Sequence, residues 1–166
     1  MSTEIQTETT VPEAINKARR DILAFEDKVR SISMEQESIP NCPLKHHFAP
    51  GSYGREIFIP KGMMVIGKIH KHAHLNILSQ GHVLVYTEDG PEEFSAPRTW
   101  VSSPGTKRVV FAVTDVVWTT VHVTDKTDLG EIEDFVIAKT FEEYEEFRKL
   151  EGLKELSIEN KNGVVI

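Results

Sequence analysis

The sequence holds a single cysteine, Cys42, and so cannot form an internal disulfide. That fits a reducing, intracellular setting. A nucleophilic thiol needs an activating base. Cys42 sits in Asn41-Cys42-Pro43 ahead of the first strand, where the plainer reading is a structural thiol. Long apolar runs are also missing, and nothing approaches the roughly 18 residues of a membrane span. The opening MSTEIQTETT lacks the basic-then-apolar pattern of a secretory leader, so the expected location is the cytoplasm. Basic residues are in deficit: 19 Lys and Arg against 26 Asp and Glu give a formal charge of −7. This excludes tight nonspecific binding to a nucleic-acid backbone, which needs clustered cations. It leaves open a local basic pocket for a small anion.

What is present suits one domain with a real core: 166 residues, 39% of them hydrophobic. Residues 1–10 are Thr- and Glu-rich and read as a disordered tail. Thr10-Val11-Pro12-Glu13 then carries the signature of a helix start. Ile15, Ala18, Ile22, Phe25, Val29 and Ile32 follow at spacings of three and four. They make one apolar stripe, which must pack on the outside of the domain or against a second subunit. Residues 33–50 contain three prolines and little periodicity, so 11–50 reads as a helix followed by a loop or extended arm.

From residue 51 to 125 short β-rich runs alternate with Gly and Pro punctuation. The strands predicted are 53–59, 64–70, 75–78, 82–87, 92–95, 99–101, 108–113 and 116–123. Pro60-Lys61-Gly62, Gln80-Gly81, Glu88-Asp89-Gly90 and Pro104-Gly105 are the turns between them. Such spacing predicts an all-β core, an antiparallel sandwich or barrel. The acidic group Glu88, Asp89, Glu92 and Glu93 reads as solvated charge at a hairpin tip. Residues 126–166 are expected to form a short C-terminal helix and a tail that pack on the barrel. Thr140 and Glu143 cap that helix, and Phe141, Tyr144, Phe147 and Leu150 form its apolar face.

Seven histidines stand out against the single cysteine. In Gly67-Lys68-Ile69-His70-Lys71-His72-Ala73-His74, an extended chain would put His70, His72 and His74 on one face. Three imidazoles on one face make either a metal site or the polar outer face of an edge strand. In 116–123, Trp118, Thr120 and His122 share a face. A core Trp118 would turn His122 inward. His46 and His47 read as exposed loop residues and His82 as surface.

Two segments resemble the cupin motifs. Residues 62–81 resemble the first, in which Gly precedes His-x-His, a Glu follows and a Gly closes the hairpin. Ser103-Pro104-Gly105-Thr106-Lys107-Arg108 resembles the second, in which Pro-Gly-Thr leads into a strand bearing another His. The resemblance covers about residues 53–123 and implies a double-stranded β-helix, the cupin jelly-roll barrel. It departs from the family in two places. The Glu is absent, its slot falling near Asn76 or on His74, and Arg108 fills the second motif's His slot. An arginine stays protonated and cannot ligate a metal.

The chain is more similar to a cupin type found in phage and prophage genomes. The positions that match are Arg55-Glu56, Pro60, Gly62, His70-Lys71, His74, Asn76, Pro104-Gly105-Thr106, Arg108, Trp118 and His122. This resemblance implies His70, His74 and His122 as ligands of a divalent ion (Fe, Zn, Ni or Mn), with His72 ranked behind them. It would place the protein in a host cytoplasm. Three protein ligands leave open positions, as in catalytic sites. The expected function is a metal-binding cupin, for which a metal-dependent enzyme acting on a small molecule at that site is one reading. The alternatives are a non-catalytic small-molecule-binding module and a structural or accessory phage protein. Arg108, Arg55 and Asn76 are the candidate substrate-binding residues. Arg108 would clamp a carboxylate or phosphate, and Asn76 would orient a ligand histidine or satisfy a turn. An exposed barrel edge and an amphipathic helix point to a homo-oligomer.

Overall fold

Period-two alternation of apolar and polar residues between glycine-bearing turns produces a mostly antiparallel β structure. The structure, a computed structural model, describes residues 11–35 and 42–161, with side chains for 11–31 and 42–152. In chain order the elements are α1 (Glu13–Glu35), β1 (Leu44–Ala49), β2 (Ser52–Ile59), β3 (Met64–Ile66), β4 (Ile69–His70) and β5 (His74–Gln80). Then come β6 (His82–Thr87), β7 (Gly90–Ser95), β8 (Arg98–Ser102), β9 (Val109–Ala112), β10 (Val116–Val123), α2 (Leu129–Val136), β11 (Ile137–Ala138) and α3 (Phe141–Lys161).

One sheet has the order β1-β2-β10-β5-β8 and a second the order β3-β9-β6-β7, while β4 pairs with β11. All these pairings are antiparallel. Inward residues of both large sheets meet in one core, including Leu78, Val83, Phe94, Ala112, Val116 and Trp118. Among the described residues, no helix is long and apolar enough to cross a membrane.

Four expectations need correction. The expected loop or extended arm over 33–50 contains the paired strand β1, which joins β2 through six residues, so strand pairing begins at Leu44, ahead of the expected start at 51. Every residue of β1 is exposed, which leaves no apolar alternation to betray it. The predicted strand 64–70 is broken into β3 and β4. Gly67 still donates to the Arg108 carbonyl at 2.7 Å, in line with the β3–β9 register, and regular pairing stops between it and Ile69, where the chain changes partner to β11. Helix α2 was not expected, although Asp128 caps it by accepting from the Glu131 N–H at 2.9 Å. Helix α3 is 21 residues long rather than short. Its Phe141 and Tyr144 pack on Ile69 and Ala138. The tail at 1–10 lies outside the described residues.

Helix α1 buries Ala18 and Ile22 and is held by charge as well as by packing. Arg19 reaches Glu88 at 2.9 Å and Glu145 at 3.0 Å, with its guanidinium 4.4 Å over the Phe141 ring. Lys107 meets Glu26 at 2.8 Å. Glu88 is therefore not solvated hairpin charge but a largely buried partner of Arg19.

Helix α2 buries Ile132 and Val136, and its N-cap is exposed, so capping can be tested without disturbing the core. Asp128→Ala should lower stability by about 1 kcal/mol, read as a shift in urea midpoint. An unchanged midpoint would show that the cap contributes nothing.

Candidate metal centre

The strand register builds the site row by row. On β10, His122 pairs with Tyr53, Thr120 with Arg55 and Trp118 with Ile57 of β2. On its other side, Thr120 pairs with Asn76 and Trp118 with Leu78 of β5. Strand β8 continues the rows, with Ser102 opposite His74 and Trp100 opposite Asn76. Directly opposed residues of an antiparallel pair point to the same face. A row containing Tyr53 and His122 thus lies beside a row of Arg55, Thr120, Asn76 and Trp100. Trp118 is buried in the core, and His122 on the same face is buried with it, as the alternation predicts.

His70 from β4, His74 from β5 and His122 from β10 come together. Their ring centroids are 4.0 Å (His70–His74), 5.1 Å (His70–His122) and 5.0 Å (His74–His122) apart. One nitrogen from each lies within 4.8 Å of the other two. His70 Nδ1 and His74 Nε2 are buried with no hydrogen-bond partner. His74 Nδ1 lies 3.3 Å from the His72 carbonyl. That carbonyl can only accept, so Nδ1 carries the proton and Nε2 keeps its lone pair.

Burial, reinforced by the neighbouring imidazoles and by Arg108 and Arg55, pushes the His70 pKa down to about 2. Burial lowers His74 and His122 to about 4 each. All three are therefore neutral at pH 7, the state a metal ligand needs. Ligand nitrogens at 2.0–2.1 Å from a tetrahedral ion are about 3.4 Å apart. A closing movement on the order of an ångström brings the triad to that spacing. The orphaned, neutral nitrogens fit a divalent ion.

His72 does not join them. The chain bends at Lys71 and His72 instead of running straight, with the Lys71 N–H donating to the Val136 carbonyl at 2.8 Å. The bend sends the His72 ring between Phe135 and Phe147, at 4.8 and 5.2 Å. Sequence spacing assumed an unbroken strand and so put all three on one face.

Asn76 is fully buried and serves Arg108 rather than a histidine ring. Its Oδ1 accepts from Trp118 Nε1 at 3.1 Å and from Arg108 Nη1 at 3.2 Å, and its Nδ2 donates to Ser102 Oγ at 2.9 Å. Arg108 Nη2 also donates to Ser102 Oγ. Burial lowers the Arg108 pKa to about 10, so it stays charged at neutral pH. Arg55 faces the cavity, while Glu56 points outward to Lys45 and His47. The site has parts the sequence reading missed. The Tyr53 ring stacks on His122 with centroids 6.3 Å apart, and its hydroxyl lies 2.7 Å from His46 Nδ1. His46 is thus a strand residue at the cavity rim, not a loop residue. Helix α2 covers the cavity with Ile132 and Val136. The alternation of Tyr53 with Arg55 was the available signal for the first, and the Asp128–Glu131 cap for the second.

The triad borders a cavity of about 430 Å³ walled by β2, β3, β9, β10 and α2. His70 and His122 open onto it with Arg55 and Arg108.

No family model matches the chain. No curated protein matches it. Solved structures, several of them named as cupin proteins, are similar to it over part of its length. KdgF from a Halomonas species is 17% identical over 56% of this chain and 88% of its own, with a TM-score of 0.46. A cupin 2 domain-containing protein from Halorhodospira halophila is 14% identical over 60% and 81%, with a TM-score of 0.46. A cupin superfamily protein from Desulfitobacterium hafniense is 8% identical over 54% and 84%, with a TM-score of 0.45. The β architecture stated above rests on the strand pairing itself.

Asn76→Leu removes the acceptor shared by Trp118 and Arg108. It should cost about 1–3 kcal/mol through unpaired donors, measured by urea unfolding. A neutral result would mean those donors find other partners. A second expectation concerns pH. In the metal-free protein the triad's pKa values lie at about 2 to 4 instead of 6.5. Between pH 6.5 and 4 the unfolded chain binds protons that the folded chain refuses, so stability rises with pH across that window. It is complete above 6.5 and is lost as pH falls towards 4. Urea midpoints at pH 7 and pH 5 should differ in that direction, and by less in His122→Gln. An equal pH dependence in both proteins would remove the triad as its source.

Proposed function

We propose that this chain is a metal-binding cupin, a metal-dependent enzyme that acts on a small molecule at His70, His74 and His122. One observation carries the reading: three buried, neutral imidazoles present nitrogens within 4.8 Å of one another, two of the rings with an orphaned buried nitrogen. Imidazole donors suit Fe, Zn, Ni or Mn-type ions. Such an ion supplies Lewis acidity toward a substrate oxygen when bound. The chain supplies the rest. Three protein ligands leave coordination positions free on the side of the cavity. The His72 carbonyl fixes the ring of His74, and Tyr53 backs His122. Ile132 and Val136 keep water from one wall. The finer likeness to phage and prophage cupins is supported by the sequence motifs alone. Self-association belongs to the same reading and is measured as mass in solution by light scattering.

Purified metal-free protein should take up one equivalent of Zn²⁺ or Fe²⁺ per chain in a calorimetric titration. His74→Ala should weaken uptake by about a hundredfold or more, since a first ligand is lost. His72→Ala should bind as the parent does. Failure of the parent to bind any divalent ion, or equal loss in both variants, would overturn the assignment.

A further inference from the structure

The cavity beside the triad has a charge imbalance that the metal reading does not explain. Its lining includes Lys68, Arg55 and Arg108 but only one carboxylate, Glu133. Lys68 and Glu133 pair with each other and are both more than half exposed. The two guanidiniums are left over. Among the described residues the Arg55 guanidinium has no hydrogen bond or ion pair. Arg108 meets only the neutral Asn76 and Ser102 and, at 5.6 Å, the Trp118 face. A guanidinium has five N–H donors, so most of the Arg108 fork is unused. Removing such a cation from water without a counter-ion is costly, and proteins ordinarily supply one. The register links the two through one cross-strand row. Thr120 pairs with Arg55 on one side and with Asn76 on the other, and Asn76 holds Arg108.

The remaining wall is hydrocarbon, with Ile57, Ile59, Val65, Val110, Trp118 and Val136 facing the same space. Its 430 Å³ lies within the range of pockets that bury a whole organic ligand. Inorganic phosphate would satisfy the cations yet leave that wall facing water. A planar carboxylate matches the guanidinium fork, and an attached chain covers the wall.

We infer that the cavity takes a small organic acid, whose carboxylate is held by Arg108 and Arg55 and whose hydrocarbon body lies against the isoleucine, valine and tryptophan wall. That this acid is the substrate rests on the metal-site reading; that it binds does not.

The experiment titrates the full chain, metal-free and Zn²⁺-loaded, with hexanoate, hexanamide and inorganic phosphate. Hexanoate should bind about tenfold or more tighter than either of the others, the scale of a charge-assisted contact. Arg55→Gln should weaken hexanoate by about the same factor and leave Zn²⁺ uptake undiminished. Arg55 has no internal partner, so this variant is informative even if Arg108→Gln, which strips Asn76 and Ser102, fails to fold. Hexanamide binding as tightly as hexanoate, phosphate binding more tightly, or an Arg55→Gln protein with unchanged hexanoate affinity would each overturn the inference. Hexanoate binding without Zn²⁺ uptake would support the clamp and remove the metal reading. Zn²⁺ uptake without hexanoate binding would do the reverse.

Discussion

A single irregularity in the pairing of β10 with β5 sets the geometry on which the centre depends. Val117 lies opposite Gln80, yet Trp118 lies opposite Leu78, so Ser79 is an extra residue in β5. Without that bulge Trp118 would face Ser79, and the inward set of β10 would meet the outward set of β5. The extra residue restores the match, aligning Trp118 with Leu78 and Thr120 with Asn76. Strand β10 pairs on both sides, so the same register also commits Tyr53 and Arg55 of β2 to the interior row. His74, His122 and the buried Asn76 therefore share the face that this register sets, the β2 pairing adds Tyr53 and Arg55 beside them, and His70 arrives separately on β4.

Burial then acts in the same sense on the two kinds of base but leaves them in different charge states. It lowers the imidazole pKa values far below neutrality, which leaves lone pairs free. It lowers Arg108 as well, but only to about 10, so the guanidinium keeps its charge. One desolvated pocket thus holds uncharged donors and a fixed cation side by side. Arg108 and Arg55 also help to hold His70 in its neutral form. The arginines and the triad are coupled electrostatically even where they do not touch.

Much of this was legible in the residues, and the remainder was hidden for identifiable reasons. The alternation of Trp118, Thr120 and His122 needed only the two-residue period of a strand, which burial enforces. His70 and His74 could be named from motif likeness. The place of His72 could not, because the bend at Lys71 depends on a bond to Val136, about sixty-five positions away along the chain. Strand β1 was missed because it is exposed throughout and is held by pairing alone. Arg19 with Glu88 and Glu145 joins three distant segments, and no local pattern announces such a meeting. The hydrogen-bond partners of Asn76 are hidden for a related reason. Its partner Arg108 reaches it across the space between two sheets.

The two departures from the cupin motifs have a common electrostatic consequence. A three-histidine, one-glutamate set supplies a negative ligand to a divalent ion. Among the described residues no carboxylate stands with His70, His74 and His122, and on the motif likeness Arg108 would fill the slot of a further histidine. An ion on this triad adds two positive charges to a pocket that already holds two unpaired guanidiniums. In a site screened from water, that repulsion is weakened little by solvent. An anionic ligand relieves both at once, since its oxygens are attractive to the ion and to the arginines. Linkage makes the relief reciprocal: whatever factor the anion gains from the ion, the ion gains from the anion. On the proposed reading, the chain therefore has no glutamate in its site because the charge that a glutamate would bring arrives with the ligand.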